Sequence, residues 1–178
     1  MQLSGSIQKM HAHLNKGVAQ YQLPIGQRLL NMNDLVGEEI TLSFNHVIHC
    51  GHCGKKTNKS YSQGYCYPCS QKLACCDLCI MKPETCHYHL GSCREPEWGL
   101  NNCFSPHVVY LANSSGVKVG ITRKSNIPSR WIDQGAISAV PILEVDTRLK
   151  SGELEMSLKE FVNDKTNWQI GRASCRER

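Results

Sequence analysis

Cys50-Gly51-His52-Cys53, followed after twelve residues by Cys66-Tyr67-Pro68-Cys69, is the stretch that decides how this chain folds. Two residues between cysteines let one tight turn aim both sulfurs at a single ion, with backbone N–H groups pointing at the sulfurs. Gly54, just after Cys53, supplies the left-handed residue such a turn needs. A redox Cys-x-x-Cys requires only one pair, at a strand-to-helix junction, so two pairs at this separation favour a tetrahedral set. Structural zinc is therefore expected on Cys50, Cys53, Cys66 and Cys69.

A second group follows immediately: Cys76-Asp77-Leu78-Cys79, then Cys86-His87-Tyr88-His89, then Cys93 and Cys103. The most economical tetrahedral set is Cys76, Cys79, Cys86 and His89, for a second structural zinc. Other partitions compete. Cys93 or Cys103 can replace a ligand, and the two sites can interleave so that Cys50 and Cys53 share an ion with Cys76 and Cys79. Cys75 is the expected spectator, because adjacent cysteines strain a shared ion. Closed four-ligand sets leave no position for an activated water, so both ions are expected to act as staples.

Eleven cysteines in 178 residues imply either disulfides or metal. No run approaches 18 consecutive apolar residues, and the first 30 lack a basic start and apolar core, so a reducing cytoplasmic setting with metal-bound thiols is expected. No membrane partner is indicated. The last nine residues, Ile170-Gly171-Arg172-Ala173-Ser174-Cys175-Arg176-Glu177-Arg178, resemble the translated read-through of a sequencing-library adapter. On that expectation the evolved chain is cut after Gln169, and 17 Lys+Arg against 14 Asp+Glu leave +3 rather than +5. Two thiolate-rich zinc sites bring even that close to zero. Net charge therefore says nothing for or against nucleic acid, and local patches must carry that argument.

Outward from the cysteines the composition changes. Residues 1–46 contain no cysteine and read as a β-rich N-terminal region, with period-2 alternation at Ala19, Tyr21, Leu23 and at Ile40, Leu42, Phe44. Pro24-Ile25-Gly26 and Val36-Gly37 punctuate it as turns. Residues 47–104 form the cysteine-rich module, too poor in long aliphatic side chains to build a core. Residues 105–169 return to an ordinary mix. Val108–Leu111 and Val117–Ile121 read as strands joined by a turn at Asn113–Gly116. Pro128 starts a helix that Gly135 stops, and Val140–Val145 reads as an edge strand because of Pro141. Ser151 is the expected cap of a final helix carrying Leu154, Leu158, Phe161 and Val162. The order is strand, strand, helix, strand, helix, and the fold class is α+β.

Within the first cysteine loop Lys55, Lys56, Lys59 and Lys72 alternate with Tyr61, Tyr65 and Tyr67. Ammonium groups for phosphates and aromatic faces for unpaired bases are what a single-strand binder presents. The bland reading makes them solvated loop residues and turn-packing tyrosines.

The run from Cys50 through the tyrosine-rich loop, Cys93-Arg94-Glu95-Pro96-Glu97-Trp98-Gly99, Val109–Arg123 and Arg130–Ala136 resembles the uncharacterised bacterial family called domain of unknown function 2797. A more distant likeness carries chemistry. Val108-Val109-Tyr110 and Lys118-Val119-Gly120, followed by Arg130 and a helix glutamate, resemble the GIY-YIG nuclease domain. That resemblance implies Tyr110 as water activator, Arg130 on the scissile phosphate and Glu155, with Glu153 as second choice, on a magnesium or manganese ion. Lys118 stands where the second tyrosine is expected, and the asparagine expected further on is absent.

Three functions compete on this reading. The first is a nucleic-acid-binding module, for DNA or RNA, using Lys55, Lys56, Lys59, Tyr61 and Lys118. The second is a divalent-metal-dependent endonuclease at Tyr110, Arg130 and Glu155. The third is a zinc-stapled protein-interaction scaffold. Neither substrate nor oligomeric state is legible in the sequence.

Overall fold

The structure is a computed structural model that describes residues 2–114 and 116–162. The described chain contains both α-helices and strands, with strands up to Thr57, α-helices from Tyr67 to Cys103 and both thereafter, as the α+β class allows. The chain divides between Asp77 and Leu78 into two compact units. Among the described residues no helix is long and apolar enough to cross a membrane.

The first unit opens with an antiparallel sheet of β1 (His11–Asn15), β2 (Val18–Ile25) and β3 (Arg28–Asn31), with β2 in the centre. Two-residue turns join the strands, and Lys16 and Gly17 both take positive φ where β1 meets β2. Asn33 ties the following turn to the sheet: its side-chain oxygen accepts from Tyr21 N and its amide donates to the Ala19 carbonyl. Pro24 lies inside β2, opposite Leu29, and the turn itself is Gly26-Gln27. The turn at Val36-Gly37 is present. The alternation at Ile40, Leu42 and Phe44, however, does not make a strand. These residues have no regular structure, and Phe44 is 61% exposed. Period-2 patterning makes a strand only where a neighbouring strand and a face to bury are on offer, and this stretch finds neither. The remainder of the first unit is a minimal hairpin, β4 (Ile48–His49) with β5 (Lys56–Thr57), and the short helix α1 (Tyr67–Lys72).

The second unit contains α2 (Leu78–Met81), α3 (Pro96–Cys103), the strands β6 (His107–Asn113), β7 (Val117–Arg123) and β8 (Ser138–Val145), and the helices α4 (Ser129–Asp133) and α5 (Arg148–Leu158). The expected order from β6 to α5 is the observed one. All pairings are antiparallel, and the sheet order is β7-β6-β8. Pro141 therefore sits on an edge strand, where its missing N–H costs no ladder bond. The central strand alternates its side chains between two faces. Val108, Tyr110 and Ala112 pack with Ile127, Trp131 and Ala136, which come from α4 and its flanks, and with Ala139 of β8. His107 and Val109, on the opposite face, are fully buried as well.

The last helix begins three residues earlier than its expected cap. Thr147 is the N-cap and its hydroxyl accepts from Lys150 N at 3.3 Å. Ser151 instead lies inside α5, fully buried, with its hydroxyl donating to the Arg148 carbonyl. Phe161 and Val162 fall beyond the helix. Both α5 and the turn at Pro83–Thr85 belong to the second unit, because Gly152 packs directly on Pro83 and Glu84. A methyl group on Gly152 would sit 2.6 Å from Pro83 Cβ, so only glycine allows this approach.

Candidate metal centre

Three local structures bring the four expected sulfurs together. The β4–β5 hairpin carries the first pair. Cys50 N donates to the Lys55 carbonyl and Gly54 N returns to the Cys50 carbonyl, both at 2.9 Å, which closes the loop around Cys50 and Cys53. Gly54 takes φ +69, the left-handed residue anticipated for it. A second tight turn, held by a bridge between Tyr61 and Tyr65, brings the chain back, and Gly51 N donates to the Gly64 carbonyl at 2.8 Å. Cys66 then caps α1 and Cys69 lies in its first turn, with Pro68 preorganising the helix start.

The four ligating atoms of Cys50, Cys53, Cys66 and Cys69 all lie within 4.8 Å of one another, and the Cys53 and Cys66 sulfurs are 3.7 Å apart. A tetrahedral ion with metal–sulfur bonds of about 2.3 Å places its ligands about 3.8 Å apart. The geometry thus accommodates a structural metal ion. The electrostatics agree. Cys50 is buried, yet backbone N–H groups hold its thiol down at about 6, Cys53 contributing most, against burial and with help from Cys66 and His52. Cys69 is pushed up to about 12, first by the hydrogen bond it shares with Cys66 and then by burial. Four crowded sulfurs cannot all shed protons unless a cation joins them.

Beside this set, Cys75 donates to the Tyr65 hydroxyl at 3.6 Å and its sulfur lies 3.9 Å from that of Cys76. The hydrogen bond from Cys75, followed by burial, pushes the Tyr65 hydroxyl up to about 12. The second expected set, Cys76, Cys79, Cys86 and His89, does not form a four-ligand cluster among the described residues. Cys76 is in the first unit, and Cys79, Cys86 and His89 are in the second. Cys79 gathers with His87, not His89, their ligating atoms lying within 4.8 Å. His89 is exposed. Spacing does not single out His87, because sequence alone cannot tell which of two histidines separated by one residue faces inward. Its Nδ1 is 2.8 Å from Ser92 Oγ.

The cations of the first loop are at the surface: Lys55, Lys56 and Lys59 are exposed and Tyr61 is half-buried. Tyr61 and Tyr67 meet edge to face at 5.3 Å, and Lys59 Nζ stands 5.6 Å from the Tyr61 ring centre.

In the second unit Tyr110 is 1% exposed. It faces Gly120 across β7, so closely that a methyl there would be 2.8 Å from its ring and hydroxyl. Gln134 donates to its hydroxyl at 3.1 Å, and Trp131 meets its ring edge to face. Arg130 is exposed on α4. Lys118, half-buried on β7, has its ammonium pKa lowered by burial first and by Arg130 second, so these two cations are neighbours. Glu155 lies on α5 with its carboxylate 3.6 Å from Lys159 Nζ, and Glu153 is exposed.

Residues 37–177 match the family described as "Protein of unknown function (DUF2797)". The chain belongs to that family. No curated protein and no solved structure matches it. The cysteine set of this DUF2797 chain lies wholly inside the matched region, whereas the β1–β3 sheet precedes it.

Proposed function

We propose that this DUF2797 chain is a zinc-stapled nucleic-acid-binding protein. Cys50, Cys53, Cys66 and Cys69 hold the zinc, which contributes charge neutralisation and a rigid frame but no reactive water. The chemistry of the donor set supports that ion: four soft thiolates in a closed tetrahedral arrangement select zinc over the hard cations. The observation that carries the reading is the strip of exposed cations and paired aromatics between the second and fourth ligands. Lys55, Lys56 and Lys59 offer charge to phosphates, while Tyr61 and Tyr67 offer ring faces for unpaired bases. Lys118 and Arg130 add a second pair of cations in the other unit.

The test is binding of a fluorescent single-stranded RNA and its DNA equivalent over a salt series. Each phosphate contact lowers the logarithm of affinity by about 0.7 per tenfold rise in salt for single strands. Replacing Lys55, Lys56 and Lys59 together with alanine should flatten the slope by about 2. Binding that ignores salt, or a triple variant with an unchanged slope, removes the proposal.

A GIY-YIG-like endonuclease at Tyr110, Arg130 and Glu155, dependent on magnesium or manganese, is the second reading. The strand order and the Gly120 floor beneath Tyr110 favour it. The burial of Tyr110 and the engagement of its hydroxyl by Gln134 weigh toward binding instead, since a base must reach a water. Metal-dependent cleavage abolished by Arg130→Ala and Glu155→Ala would reverse that preference.

A further inference from the structure

Arg148 is half-buried at the start of α5, and nothing among the described residues pairs with its charge. Its Nη2 donates to the Ile80 carbonyl at 2.5 Å, while its Nε–H is buried without a partner. A buried guanidinium without a counter-charge is costly, so the environment must supply negative charge. Among the described residues no carboxylate forms an ion pair with it. The groups that act most strongly on its charge are the thiols Cys103 and Cys79, with Arg123 and the Glu155 carboxylate contributing less.

Several contacts draw further donors to the same place. Arg148 is one helical turn from Gly152, which rests on Pro83 and Glu84, and Cys86 ends that turn. Cys93 Sγ lies against α3, 3.3 Å from where a methyl on Gly99 would be, and Cys103 is one turn further along the same face. The end of α3 is pinned to the sheet by Arg123, whose Nη1 donates to Asn102 Oδ1 at 2.6 Å. Arg123 is also the register partner of His107.

His107 is fully buried, with Nδ1 2.7 Å from the Ser105 carbonyl. A carbonyl only accepts, so Nδ1 carries the proton and Nε2 the lone pair. That Nε2 is buried with no partner. An imidazole whose N–H is fixed on a backbone carbonyl and whose other nitrogen is free is the arrangement metal-binding histidines use.

We propose that the second unit holds its own metal ion through Cys86, Cys93, Cys103 and His107, with Arg148 as the counter-cation. Three thiolates, a neutral imidazole and a divalent ion carry −1, which Arg148 neutralises, its free Nε–H being available to a thiolate. These donors stand further apart than the first four cysteines, so binding must draw them together. The assignment keeps only Cys86 of the set suggested by spacing, using neither Cys76, Cys79 nor the exposed His89, and it stands whether or not the protein binds nucleic acid.

The experiment is metal stoichiometry on the full chain purified without chelator, with the cobalt(II) spectrum of each variant. The intact chain should hold two ions, and Cys50→Ser with Cys53→Ser should leave one. His107→Ala should lose the other, His107→Cys should keep both with stronger thiolate-to-cobalt absorption, and His89→Ala should keep both. His107→Cys guards against a fold failure in the alanine variant. A single ion that vanishes with Cys50 and Cys53, two ions surviving His107→Ala, an unchanged cobalt spectrum in His107→Cys, or an ion lost with His89→Ala would each overturn the assignment.

Discussion

Around the first-unit cysteines the buried apolar residues are Cys50, Leu73 and Ala74, whereas β6 alone buries Val108, Val109, Tyr110 and Ala112. Both regions are ordered, but for different reasons. The residues around Cys50 form two tiny turns and six residues of helix, too little apolar surface to offset the entropy of fixing the chain. What the core does not supply, the four gathered sulfurs are placed to supply by holding a metal ion. The β6 strand is sandwiched on both faces, and its order depends on excluding water from side chains. The two regions thus rest on different kinds of contact, and substitutions in one are expected to leave the other standing.

The largest effect should come from the sulfurs. Structural zinc in small modules contributes about 10–16 kcal/mol of apparent binding energy, all of it folding energy where no core exists. Cys53→Ser should therefore abolish hydrogen-exchange protection at Cys50, Gly54 and Leu73 amides while Val109 and Tyr110 keep theirs. If those first-unit amides stay protected in the variant, the division between the two kinds of order is wrong.

Next comes the hydrophobic side of the comparison. Tyr110→Ala would empty a fully buried site beside Trp131 and Gly120 and leave Gln134 without its partner. A cost of about 3–5 kcal/mol is expected, read by denaturant unfolding followed through Trp131, with the metal on Cys50 and Cys53 retained. Loss of that metal in the same variant would show the two regions to be one cooperative block.

Gly152→Val should cost about 1–3 kcal/mol by overpacking against Pro83, seen as a lowered melting temperature. An unshifted melting curve would mean that the contact between α5 and the 83–85 turn yields easily. Smaller still is Thr147→Ala, which removes the helix cap and should cost about 1 kcal/mol. Ser151→Ala serves as its control. Were Ser151 the cap, the two losses would exchange places.

Much of this architecture was legible residue by residue. The Cys50 and Cys66 pairs announced their own turns, because local spacing and Gly54 alone set the direction of each sulfur. The hairpin from Val108 to Ile121 was equally plain, since apolar runs flanked a glycine-bearing turn. Other readings failed where the partner was distant in sequence. Ile40, Leu42 and Phe44 carry a strand's alternation but meet no neighbouring strand. Ser151 has a cap's chemistry, yet Thr147 is the residue whose backbone is extended at the helix start. Among Cys76 to Cys103 spacing offered several equivalent sets, so it could not single out His87 beside Cys79 or the buried face of His107.

What the amino-acid order determined by itself is whatever closes within about twenty residues: the four-sulfur cluster, the hairpins and the strand–strand–helix–strand–helix succession. Tertiary structure decided which side chains lose water. It buried Tyr110 between Gly120 and Trp131, exposed Phe44, and set an unpaired Arg148 among thiols. The reason is physical: short loops fix geometry through local dihedrals and turn hydrogen bonds, whereas burial is the joint property of surfaces that meet only once the chain has folded.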